Sequence, residues 1–167
     1  NCGTVNLVSV VNSSFNCGNV GNNLVTLTAN DGNGNTATCI ATVTVRDVTP
    51  PVAKCKNVTA DLGANGMVIV PASNVNNGST DNCSITFTLT PNIFNCAQVG
   101  MQTVTLKATD VGGNTSTCTA KVTVRDITAP MAKCKNPSIF LNSAGQATLS
   151  IAELNNGSAD NCGISTL

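Results

Sequence analysis

Thr103-Val104-Thr105-Leu106-Lys107-Ala108-Thr109 and Thr119-Ala120-Lys121-Val122-Thr123-Val124-Arg125 both alternate apolar and polar residues with a period of two. That is the pattern of a strand with one face on a core. Between them lies Asp110-Val111-Gly112-Gly113-Asn114, a run rich in turn formers. Together the three stretches predict a β-hairpin. An earlier copy reads the same way: a strand over 24–28, a turn over 30–35 and a strand over 38–46. Further strands are expected at 53–60, 67–70 and 84–90, with single helical turns at 72–75 and 152–154. Short strands punctuated by Gly, Asn and Pro predict an all-β, antiparallel β-sandwich.

The hairpin recurs because the whole chain is periodic. Val48-Thr49-Pro50-Pro51-Val52-Ala53-Lys54-Cys55-Lys56-Asn57 returns as Ile127-Thr128-Ala129-Pro130-Met131-Ala132-Lys133-Cys134-Lys135-Asn136. Cys17, Cys39 and Cys55 recur as Cys96, Cys118 and Cys134, each 79 residues on. A fixed period of this length predicts tandem small domains. Residues 48–126 form one complete repeat, residues 1–47 the back half of a repeat, and residues 127–167 the front half of the next. The Pro-bearing junctions after Asp47 and Asp126 predict short, stiff linkers. Asn1-Cys2-Gly3 matches Asn161-Cys162-Gly163, with Asn82-Cys83-Ser84 between them. The expected origin is an excerpt from a longer array.

Composition narrows the function. Charged residues are 10% of the chain and the formal net charge is zero, against about 25% charged in ordinary domains. Charge therefore gives nucleic acid or an anionic membrane no attraction, and no apolar run reaches the ~18 residues of a membrane span. There are nine Cys and no His. Without His or a Cys-x-x-Cys pair, a zinc site is not expected. Cys at this density reads as disulfides and an oxidising, extracellular setting. Aromatics are 2% of residues, and domains with such thin cores need staples. Glu153 is the one Glu, and no nucleophile–base or paired-carboxylate arrangement recurs. Neither an enzyme nor a cofactor is expected.

The Asp-x-Thr-x-Pro junction, the strand with Cys55, and Ala108-Thr109-Asp110-x-Gly112-Gly113-Asn114-x-Ser116-x-Cys118 resemble the hyalin-repeat family, including its relatives in bacterial surface proteins. The first repeat carries the matching run Ala29-Asn30-Asp31-Gly32-Asn33-Gly34-Asn35-Thr36-Ala37-Thr38-Cys39. The resemblance implies immunoglobulin-like modules of long extracellular proteins, with adhesive or matrix work rather than catalysis. Cys83 and Cys96 are additional to the cysteines matching that family, Cys55 and Cys118. If the additional cysteines pair together, the disulfides are Cys83–Cys96, Cys2–Cys17 and Cys55–Cys118. Cys39, Cys134 and Cys162 then find partners outside the segment. The rival arrangement joins Cys55 to Cys83 and Cys96 to Cys118.

Metal binding is not expected. Asp31-Gly32-Asn33-Gly34-Asn35 opens like a Ca²⁺ loop, but the position for the closing Glu is Thr42. It reads instead as a hairpin turn, and chelators should leave the fold intact. The acids placed to hold a cation between repeats are Asp47 and Asp126, with Asp81 and Asp160; the simpler role for Asp47 and Asp126 is to cap the linker or to pair with Arg46 and Arg125. Asn12, Asn57, Asn77, Asn114 and Asn156 begin Asn-x-Ser/Thr sequons and are glycosylation candidates; Asn82 is a poor acceptor beside its cysteine. The expected function is structural: a segment of a cell-surface array, serving as an adhesin stalk or the body of a fibre, with neighbouring copies as head-to-tail partners. The alternative is a module whose loops bind a glycan or protein ligand.

Overall fold

The computed structural model describes residues 5–164. Strands β1 (Asn6–Val11), β2 (Gly21–Asn30) and β3 (Thr36–Val45) form one antiparallel sheet in that order. A four-stranded sheet has the order β4 (Val58–Asp61), β9 (Thr115–Arg125), β8 (Gly100–Asp110), β6 (Ile85–Thr90). Strands β5 (Met67–Ile69) and β7 (Ile93–Asn95) pair antiparallel. Helix is limited to the single turns α1 (Ala72–Val75) and α2 (Ile151–Leu154) and to 3-10 turns at Cys17–Asn19 and Cys96–Gln98. The fold is all-β and disulfide-bearing. Among the described residues, no helix is long and apolar enough to cross a membrane.

The chain divides into two compact units, and both draw on more than one sequence repeat. Unit 1 comprises Asn1–Lys54, Asn76–Thr88 and Leu106–Cys118; unit 2 comprises Cys55–Val75, Leu89–Thr105 and Thr119–Leu167. Unit 1 contains the β1–β3 sheet. In unit 2, β4 runs parallel to β9, with Val58 opposite Val122 and Asp61 opposite Arg125. Arg125 donates to both Asp61 oxygens, at 2.8 and 3.2 Å, so the anticipated Arg125–Asp126 pair gives way to a cross-strand one.

Alternation along β8 and β9 does what period two requires. Val104, Leu106 and Ala108 on β8, and Ala120, Val122 and Val124 on β9, are buried, while their neighbours are more exposed. In unit 2, Leu62, Val70, Val75, Leu89 and Phe94 are buried too. Every buried Ala, Val, Leu and Phe among the described residues lies between Ala60 and Val124.

The strand expected over 53–60 is shorter than its alternation suggested. Lys54 N–H donates to Ser79 Oγ and Lys56 N–H to the Val75 carbonyl, while Asn77 N–H returns to the Lys54 carbonyl. A side chain and a helical turn thus take bonds that a ladder would use. The pattern repeats one period on: Lys133 N–H donates to Ser158 Oγ and Lys135 N–H to the Leu154 carbonyl. The two 3-10 turns also share one local logic. Asn16 and Asn95 cap them, and Asn19 and Gln98 reach back to the cap N–H in a capping box. In each case the strand that follows the turn opens on a glycine with φ of 112°, Gly21 and Gly100, a conformation an L side chain rarely adopts.

Candidate functional site at the repeat junction

The junction residue Asp47 is pinned from three directions within unit 1. Its Oδ1 accepts from Thr49 N–H at 3.2 Å and from Asn82 Nδ2 at 3.3 Å. Its carbonyl accepts from Asn114 Nδ2 at 3.0 Å. Asn114 belongs to the β8–β9 turn, where it also donates its backbone N–H to Asp110 Oδ1 and its amide to Asp110 Oδ2, both at 2.7 Å. Gly112 allows the approach: a Cβ there would collide with the Asp47 carbonyl and lie 2.9 Å from the Asp47 Cβ. The linker-capping role read for Asp47 is therefore present. Asp126 caps in the same way, accepting from Thr128 N–H at 3.1 Å.

This packing gathers carboxylates that the sequence separates. Oxygens of Asp47, Asp81 and Asp110 all lie within 4.8 Å of one another. Asp47 and Asp110 are buried. Asp81 Oδ2 accepts from Cys83 N–H at 3.0 Å, but Asp81 Oδ1 and Asp47 Oδ2 are buried with no hydrogen-bond partner. Burial pushes the Asp110 carboxyl up, and the hydrogen bonds from Asn114, Gly113 and Gly112 outweigh it, holding the group below its ordinary value. The corresponding turn of the first repeat is built alike: Asp31 accepts from Asn33 N–H at 2.8 Å and from Asn35 Nδ2 at 2.6 Å. Its acid lies in a hairpin turn, as the sequence suggested. In unit 2, Asp160 Oδ1 and Asn161 Oδ1 are also buried without a partner.

The disulfides correct the expected pairing. Cys17 is bonded to Cys83 and Cys96 to Cys162, each across 66 residues. Cys83–Cys96 and Cys2–Cys17 are thereby excluded, as are Cys55–Cys83 and Cys96–Cys118. Cys162, expected to pair outside the segment, has its partner within it. Cys2 itself lies outside the described residues. The physical reason is local placement. Cys83 follows the Asp81–Asn82 turn beside Asp47, where Cys17 Sγ lies 3.4 Å from the Asn82 carbonyl. Cys96 opens a 3-10 turn in unit 2, with its Sγ 3.6 Å from the Gly66 carbonyl and 3.5 Å from that of Asn161. Cys83 and Cys96 are near in sequence but belong to different compact units. Cys55 and Cys118 are both disulfide-bonded, whereas Cys39 and Cys134 are exposed thiols.

The sequons divide by what their amides are doing. Asn77 and Asn156 are exposed; Asn57 is exposed too, but its Oδ1 accepts from Lys121 N–H at 2.9 Å. Asn12 is exposed, with φ of 62° and its Nδ2 on the Leu24 carbonyl. Asn114 spends its amide on Asp47 and Asp110, so a glycan there would dismantle the junction.

No family model matches the chain. It is 33% identical over 180 residues to hyalin of Strongylocentrotus purpuratus, an alignment spanning 100% of this chain and 15% of hyalin. The resemblance carried by the junction and hairpin motifs therefore holds along the whole chain, which is a small part of hyalin's length. Among solved structures, human mucin-like protocadherin EC1-2 is 14% identical, covering 62% of this chain and 68% of that one, with a TM-score of 0.36. The protocadherin gamma B4 extracellular domain is 21% identical, covering 80% of this chain and 28% of that one, with a TM-score of 0.34.

Proposed function

We propose that this chain, similar to hyalin throughout, is a non-catalytic structural segment of a long extracellular repeat array, forming an adhesin stalk or the body of a surface fibre. The observation that carries this reading is the recurrence of one disulfide. Cys17–Cys83 and Cys96–Cys162 occupy equivalent positions 79 residues apart, and each ties one sequence repeat to the next. A bond repeated at every junction belongs to an array, and it favours an oxidising, extracellular compartment.

Exposure supports the same reading. Leu62, Val70 and Val75 are 3%, 2% and 0% exposed in the complete repeat, while their counterparts Leu141, Leu149 and Leu154 are 70%, 45% and 40% exposed. Phe94 is fully buried and its counterpart Phe15 is 36% exposed. The partial repeats present the apolar faces that complementary halves cover in the complete one. Neighbouring copies, joined head to tail, supply those halves. Such a heterologous contact propagates instead of closing.

Cysteine accessibility tests this. In the intact native polypeptide, iodoacetamide without reductant should leave Cys39 and Cys134 unmodified, because each is paired with a cysteine of the adjoining repeat. In the isolated chain both should alkylate readily. Ready alkylation of both in the intact polypeptide would overturn the head-to-tail reading.

A further inference from the structure

We infer that Asp47, Asp81 and Asp110 form a Ca²⁺ site at the repeat junction. Three carboxylates brought within 4.8 Å repel one another unless a cation or a proton intervenes. Among the described residues, no Lys or Arg makes an ion pair with any of them; Arg125 is committed to Asp61. The independent sign of a missing partner is Asp47. The residue is 9% exposed, and its Oδ2 is buried with no donor. Asp81 Oδ1, buried in the same cluster, is equally unpartnered. Buried carboxylate oxygens without partners are costly, and here two of them accompany the third acid, Asp110.

The chemistry selects a hard cation. All the candidate ligands are oxygen, which suits Ca²⁺ or Mg²⁺ rather than a thiophilic metal. Two oxygens on one Ca²⁺ bond at about 2.3–2.6 Å and so sit up to ~5 Å apart, whereas Mg²⁺ draws its ligands to ~4 Å and demands a stricter octahedron. Oxygens anywhere within 4.8 Å of one another can be accommodated by the larger ion and its more flexible geometry, with water filling the remaining positions. Asp47 also lines an open cleft with Val20, Gly21, Arg46, Gly112 and Asn114. The neighbouring hydrogen bonds already orient the ligands: Asn114 fixes Asp110, Cys83 N–H fixes Asp81, and Thr49 N–H with Asn82 fixes Asp47. The site thus joins the linker, the turn before Cys83 and the β8–β9 turn. It reverses the expectation that chelation leaves the protein unaffected. It stands whether or not the chain belongs to a fibre.

The test uses the oxidised chain and CaCl₂ alone. Extracellular sites of this ligand count bind at about 10⁻⁴–10⁻³ M, so 10 mM CaCl₂ should raise Tm by about 3–10 °C over EDTA. Titration calorimetry should show binding in that range. Asp81→Asn should melt in EDTA at or above the wild-type temperature, because one repelling charge is gone, yet gain nothing from Ca²⁺. Asp47→Asn, which keeps its Oδ1 acceptor, should lose the Ca²⁺ gain likewise. Asp31→Asn, in the matching turn outside the cluster, should retain it. No heat and no Tm rise in the wild type, or an undiminished rise in both cluster variants, would overturn the site.

Discussion

Replacing Cys17 and Cys83 together by Ala removes one repeat-to-repeat bond without leaving a stray thiol. The bond closes 66 residues, and a loop of that length is worth about 4 kcal/mol in the chain-entropy account. Hydrogen bonds from Asn82 and Asn114 to Asp47 still hold the same junction, so this figure is a ceiling. Since about 1.4 kcal/mol is a factor of ten, amides of the β2–β3 ladder should exchange roughly a hundredfold to a thousandfold faster in the variant. Val104, Val122 and Val124 are buried in unit 2, and their amides should change by less than about threefold, because sub-global openings are largely independent. Native-state hydrogen exchange read by mass spectrometry measures both sets in one sample. A non-reducing peptide map should confirm that Cys96–Cys162 survives. If β2–β3 protection is unchanged, the disulfide does not secure that sheet, and the reasoning fails.

Two further outcomes are expected. Phe94→Ala should cost about 3–5 kcal/mol in urea unfolding, as for any fully buried Phe, while Phe15→Ala in the partial repeat should cost clearly less; equal losses would remove the basis for distinguishing complete from partial repeats. Acid should destabilise the turns. The Asp31 and Asp110 carboxyls are held below their ordinary value by hydrogen bonds from Asn35 and Asn114, so their contribution is present above the unfolded carboxylate pKa and is lost as pH falls through the lowered one, below about pH 4. Asp110→Asn should flatten part of that acid limb in a Tm-against-pH series measured in EDTA.

The hairpins were legible because their signal is local. Alternation in 103–109 and 119–125 and the intervening Gly-Gly-Asn turn point to one structure without help from the rest of the chain. The resemblance to hyalin repeats rested on similarly short motifs. What escaped depended on distant segments meeting. Asp110 reads as a turn residue because its bonds to Asn114 are local; its proximity to Asp47 depends on a contact between residues more than sixty apart. The disulfides were misread by pairing the two additional cysteines, Cys83 and Cys96, with each other. A usable signal was present: Cys2–Cys17 and Cys83–Cys96 have unequal spacings, whereas Cys17–Cys83 and Cys96–Cys162 share one. The parallel β4–β9 pairing had no local trace, since no hairpin connects those strands.

The repeated disulfide also sets what would happen if the polypeptide were pulled from its ends. The shortest covalent route enters at Cys17, crosses to Cys83, follows the backbone for 13 residues to Cys96 and crosses again to Cys162. The 66-residue stretches between bonded cysteines hang off that route and carry no tension while the bonds hold. A fully drawn repeat could lengthen only to about 50 Å, compared with roughly 270 Å for 79 free residues at 3.3–3.6 Å each. Leu106 and Val122 lie within the second of those stretches and are therefore mechanically sheltered, and reduction would convert a nearly inextensible tether into a compliant one.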